Sequence, residues 1–201
     1  HGMNFLLIPI INKNLSESDM KFWLIALNML SLFTFIDASF RQNVSRLVAQ
    51  ARTGKLKYFG QMSKGINVKY DRLLYLTAIM KGNWAVLFLF TCMIGATGTL
   101  YLVMVNFELN YFVSWIFLCI GQFFSLCLYL FAAVLNGENK ISSSNILQLI
   151  TKISFITSLM LMILIIQVLN YAIIASTITL GFLFVIFFWK VFIKKDRSAT
   201  H

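Results

Sequence analysis

Charge is what this chain has least of. Only 12% of its 201 residues are Asp, Glu, Lys or Arg, against about 25% in an average soluble domain. That is too little polar material to cover a water-facing surface, so a soluble globule is excluded. The residues of nucleophile and metal chemistry are scarce as well. The two histidines are the terminal His1 and His201, and Cys92, Cys119 and Cys127 all fall inside apolar stretches. No disulfide or zinc spacing links the three cysteines, which read as small core hydrophobes. Paired carboxylates, a His or Cys beside a general base, and a phosphate-cradling glycine loop are all missing. The stretch from Gly60 to Gly65 lacks the strand and helix that would flank such a loop. No catalytic residue, metal or cofactor is therefore expected, and the chain does not read as an enzyme.

What is present is apolar. Hydrophobic residues make up 59% of the chain, 20 of them Phe, and the mean hydropathy is +0.80. A helix needs about 20 apolar residues to cross a bilayer, and several stretches supply them. The expected class is all-α, a polytopic transmembrane bundle of one partial and five full spans. Residues 3–11 are apolar but reach only about 14 Å as a helix, so they read as the tail of a truncated first span. Signal-peptide features are lacking there. Ser16 to Asp19 then offer helix-start chemistry. The second span is expected over 22–40, continuing as helix to Arg52. A basic cytoplasmic loop covers 41–83, with Gly54, Gly60 and Gly65 as breaks and an interfacial helix over 71–81. Further spans follow at 84–107 and 111–135. From 153 to 192 the sequence is almost unbroken apolar, about 60 Å of helix, which one crossing cannot hold. A turn between Gln167 and Asn170 divides it into spans at 146–169 and 171–192.

The charges check this division. Arg41, Arg46, Arg52, Lys55, Lys57, Lys64, Lys69, Arg72 and Lys81 share one segment with a single acid, Asp71. Lys140 and Lys152 outnumber Glu138, and Lys190, Lys194, Lys195 and Arg197 outnumber Asp196. The alternate turns carry Glu17, Asp19 and Glu108 against Lys13. Alternate loops are thus basic, as hairpin topology and the positive-inside rule require. Both termini are expected on the cytoplasmic side. The net charge of +10 is explained this way, since the bases sit between apolar spans, and no nucleic-acid partner is expected.

The most informative polar cluster runs from Asp37 to Arg46 at the end of the second span. Asp37 and Arg41 are four apart and share a helix face, whereas Arg46 lies on another. Two readings stay open. The pair belongs to a cationic lining that holds a phosphate-bearing substrate through forked Arg donors, or it is a local ion pair anchoring the helix at headgroup level. Gly95, Gly98, Gly121 and Ser125 read as close-packing positions. Gln122, Gln148, Gln167 and Asn170 read as interhelical or loop amides, and Trp84, Tyr101, Tyr111 and Trp115 as an interfacial belt.

Leu6 to Pro9, Leu15-Ser16-Glu17-Ser18-Asp19, Trp23-Leu-Ile and the helix end with Asp37, Phe40 and Arg46 together resemble the start of bacterial polysaccharide-biosynthesis flippases. These belong to the multidrug/oligosaccharidyl-lipid/polysaccharide exporter superfamily. Leu135-Asn-Gly137-Glu-Asn-Lys140-Ile is similar to the family's loop between helices four and five. Ser39 stands where the family usually has Gly. The resemblance implies the N-terminal lobe of a two-lobe exporter, with a second bundle of the same polypeptide as its partner. It also implies translocation of an undecaprenyl-diphosphate-linked oligosaccharide, such as an O-antigen unit of lipopolysaccharide or a capsule repeat, across the bacterial inner membrane by alternating access. The substrate and the membrane lipids are the partners it implies. Arg41 and Arg46 are then the expected phosphate or saccharide contacts, with Asp37 orienting Arg41. The alternatives are a drug/cation antiporter of the same superfamily and a membrane-bound polysaccharide polymerase or transferase.

Overall fold

The computed structural model describes residues 9, 13–52 and 72–192. The expected truncated span at 3–11 apart from Pro9, the basic stretch from 53 to 71 and the terminal bases from Lys194 onward fall outside the described residues. The described residues form an all-α bundle of α1 (Glu17–Arg52), α2 (Arg72–Met104), α3 (Leu109–Gly137), α4 (Ile141–Ile166) and α5 (Leu169–Phe192). Each of the five is long and apolar enough to cross a membrane, as a multi-pass membrane protein requires.

Local chemistry sets the helix ends. Ser16 caps α1: the Asp19 amide donates to Ser16 Oγ at 3.2 Å, and the Ser16 amide donates back to the Asp19 carboxylate at 3.3 Å. That reciprocal pairing satisfies donors which the first turn leaves open. Three reversals follow, each through a left-handed residue: Asn106 at φ 57°, Asn139 at φ 65° and Gln167 at φ 55°. In the first two, the following amide closes the turn onto a carbonyl five residues back, Phe107 to Leu102 at 3.2 Å and Lys140 to Leu135 at 2.9 Å. Asn tolerates this backbone better than other side chains. The third reversal falls at Gln167 and Val168, so α4 ends at Ile166 and α5 starts at Leu169.

Helix α1 runs unbroken to Arg52, as expected, and α2 begins at Arg72, so the basic 41–83 segment is helical at both of its described ends and not a loop throughout. No Gly or Pro interrupts the run from Arg41 to Arg52. The 71–81 segment is likewise no separate interfacial helix, because α2 passes through Gly82 without a break. A lone glycine costs a helix only about 1 kcal/mol.

Helix α3 is the hub. It packs against all four other helices, whereas α1 touches α2 only sparingly. Two thirds of its apolar stretch (67%) is buried, against 17% for α4. Small residues allow the approach. A Cβ on Gly98 would collide with the Trp115 ring, and one on Gly137 would sit 2.6 Å from the Ser45 carbonyl and the Val48 side chain. The indole of Trp115 donates to the Gly95 carbonyl at 3.0 Å.

These contacts correct the belt assignment. Trp115 is 2% exposed, locked between α2 and α3. Tyr111 is also buried, its ring against Phe22 and Phe107 and its hydroxyl donating to Asp19 at 3.1 Å. Trp84 leans on Phe184 and Phe188, and Tyr101 is exposed. Cys92, expected in the core, is exposed, while Cys119 and Cys127 are buried.

Candidate functional site

Three polar pairs at i, i+4 spacing, one on each of three helices, converge about two turns inside the bundle. Asp37 and Arg41 come from α1, Ser125 and Tyr129 from α3, Ser144 and Gln148 from α4. Arg41 is the centre. One Nη donates to the Asp37 carboxylate at 2.9 Å, and the other donates to the amide oxygen of Gln148 at 2.8 Å. The guanidinium lies over the Tyr129 ring, 5.5 Å from its centroid, a favourable placement for a cation on an aromatic face. Gln148 donates in turn to Ser144 Oγ at 3.3 Å, and that hydroxyl donates to the Ala132 carbonyl at 2.7 Å. The cluster therefore ties α1, α3 and α4 together.

Depth follows from the packing. Helices α1 and α3 run parallel, since Asp19 meets Tyr111 near one end and Ser45 meets Gly137 near the other. Tyr129 stands eight residues before Gly137, about 12 Å along a helix. An isolated charge in hydrocarbon costs on the order of 3 kcal/mol on insertion scales. The Asp37 side chain is 13% exposed and that of Arg41 34%, so pairing offsets the cost and the guanidinium stays open on one side. Its Nε is buried and lacks a hydrogen-bond partner among the described residues.

Of the expected site residues, Asp37 and Arg41 are brought together and Arg46 is not. Arg46 is exposed on another face of α1, level with the end of α3. Three participants were not foreseen in the sequence: Gln148 as a partner of Arg41, Tyr129 beneath the guanidinium, and Lys152. Lys152 is exposed one turn beyond Gln148 and acts electrostatically on Asp37. The signal was available, because Ser144, Gln148 and Lys152 recur every four residues along one helix face.

Beside this cluster, α1 carries an exposed polar face. Asn28, Ser31, Thr34, Ser39, Gln42 and Asn43 all reach the surface, while Phe22, Trp23, Ala26, Leu30 and Phe33 point into the core. A second concavity, about 310 Å³, lies between α2 and α3 and is lined by Phe88, Cys92, Gly95, Trp115, Cys119 and Phe123. It is almost wholly apolar and brings no set of polar groups to a point. Among the described residues no three His, Cys, Asp or Glu side chains are grouped to hold a metal.

No family model, curated protein or solved structure matches this chain.

Proposed function

We propose that this chain is one helix bundle of an exporter that carries a lipid-linked oligosaccharide across the bacterial inner membrane by alternating access. The observation that carries the reading is the exposed polar face of α1 alongside the Asp37–Arg41 pair. Lipid tails offer no hydrogen bonds, so polar side chains at membrane depth face water, protein or substrate. A scaffold helix needs no such face. A transport helix does.

The sign of the charge supports an anionic head group. Arg41 and Lys152 lie on the two helices beside one carboxylate, and Arg46 adds a further base nearer the bundle end, which favours a phosphate over a cationic drug. Asp37 is already paired with Arg41, which weakens the antiporter alternative, because a coupling carboxylate has to be free to bind its ion. Arg41 then contacts phosphate or saccharide, Asp37 orients it, and Arg46 meets the substrate at headgroup level. A second bundle and the membrane lipids complete the proposed assembly. The basic ends of α1, α2 and the α3–α4 turn lie on one side, assigned to the cytoplasm by the positive-inside rule.

The test is replacement of Arg41 and Arg46 by Ala in the full-length protein of the producing cell. Surface O-antigen should be lost while protein level stays normal. Wild-type O-antigen at normal protein level would remove both residues from the pathway.

A further inference from the structure

Helices α1 and α4 both pack on α3 but scarcely touch each other. They are bridged where Arg41 reaches Gln148 over the Tyr129 ring, and the partly exposed side of this bridge is termed the α1–α4 groove. One turn beyond Gln148, on the same face of α4, stands Lys152, which is exposed. It lies eleven residues into α4, about 17 Å from the helix start. That is too deep for a headgroup anchor at the helix end. Leu149 and Ile153, its neighbours on the outer surface, are 58% and 42% exposed, as lipid-facing residues would be.

We propose that Lys152 is a second anion-holding residue, forming with Arg41 a two-cation clamp across the α1–α4 groove for a phosphate-bearing group. The inference rests on the reading of Arg41 as a phosphate contact and adds the residue opposite it. Two cations face one carboxylate here, leaving one positive charge in a region where charge is costly. An anion removes that cost.

Phosphate fits better than carboxylate. A planar carboxylate is satisfied by contacts in one plane, and Asp37 already takes one Nη of Arg41. A tetrahedral phosphate directs oxygens several ways and can take a remaining Nη hydrogen from one helix and a point-charge ammonium from another. Asp37 is a positioning residue in this arrangement, holding one Nη so that the rest of the guanidinium faces the groove.

The full chain is reconstituted in phosphatidylcholine nanodiscs and titrated with inorganic pyrophosphate by calorimetry. In parallel, retention of phosphatidic acid is read by native mass spectrometry. Wild type should bind at least one of the two. Lys152→Ala should weaken that binding about tenfold, or about 1.4 kcal/mol, Lys152→Arg should restore it, and Lys140→Ala should leave it unchanged. Dependence on Lys152 for pyrophosphate supports a clamp that reads free phosphate groups. Dependence for phosphatidic acid alone supports one that reads a lipid headgroup. Lys152→Met, which keeps the aliphatic stem, replaces the Ala variant if the latter fails to fold.

The clamp is overturned if wild type binds neither probe, or if Lys152→Ala binds both as wild type does. The two readings separate cleanly. Loss of binding and export in Arg41→Ala with neither lost in Lys152→Ala rejects the clamp and keeps the exporter. Binding that needs both cations, with O-antigen intact in both variants, keeps the clamp and rejects the exporter.

Discussion

Helices α1 and α5 turn their polar residues in opposite directions. On α5, Ser176, Thr177 and Thr179 face inward: Thr177 donates to the Phe117 carbonyl at 2.9 Å, and Thr179 meets Ser158 at 3.2 Å. Asn170 accepts a short hydrogen bond from Ser114. The outer face of α5 is Tyr171, Ile178, Phe182, Val185, Ile186 and Trp189. On α1, Phe22, Trp23 and Phe33 go inward, and Asn28, Ser31, Thr34, Gln42 and Asn43 go outward among exposed Leu24 and Leu32. The outer face of α5 is therefore apolar, as a lipid-facing side is. That of α1 is mixed and more polar.

The sharpest way to break this contrast is to place the same charge on both outer faces. Ile178→Lys and Thr34→Lys both sit near the middle of their helices on exposed positions. A lysine at the centre of a lipid-facing helix costs about 3 kcal/mol on insertion scales. The α5 variant should lose most of its folded, membrane-inserted protein, and the α1 variant should lose little. Folded yield by fluorescence-detected gel filtration checks this, and equal losses would mean that α1 faces lipid after all.

The next largest effect lies in the ion pair. Arg41→Gln leaves Asp37 partly buried without its cation, at a cost of about 1–3 kcal/mol for an unsatisfied group. Adding Asp37→Asn removes the orphaned charge, so the double variant should regain most of the thermal stability. Export, read as surface O-antigen, should stay lost in both. Restoration of export by the double variant would make the pair a structural tie rather than a binding group.

Much of the fold was legible because hydrophobic runs and charge alternation both report membrane crossings. The all-α bundle followed from runs of about 20 apolar residues. The Asp37–Arg41 pairing followed from i, i+4 spacing alone. What spacing could not supply was the third dimension. Gln148 was visible as a polar residue in an apolar run, but only the α1–α3–α4 packing brings it to Arg41. The belt reading of Trp115 failed for a related reason. An aromatic near a helix start looks interfacial in sequence, whereas Gly95 and Gly98 on α2 open a slot that takes the indole inside. The helix to Arg52 was legible, but the 71–81 helix was taken as separate because Lys81 and Gly82 look like a break in sequence, whereas α2 runs through them.

The smallest expected effect tests the inward polar seam of α5. Thr177→Val keeps the shape and β-branching of the side chain while deleting the hydroxyl that donates to the Phe117 carbonyl. Interhelical hydrogen bonds inside membranes contribute only about 0.6 kcal/mol on average, and the Phe117 carbonyl keeps its own helical partner. The variant should therefore unfold within about 1 kcal/mol of wild type in a detergent titration and export normally. Thr34→Val, equally conservative, removes a hydroxyl that already bonds its own helix at Ser31 and should be close to neutral in stability. If α1 lines a wet path, Thr34→Val also makes that path less polar and lowers export more than Thr177→Val does. A larger export defect from Thr177→Val would shift the functional face from α1 to the α3–α5 seam.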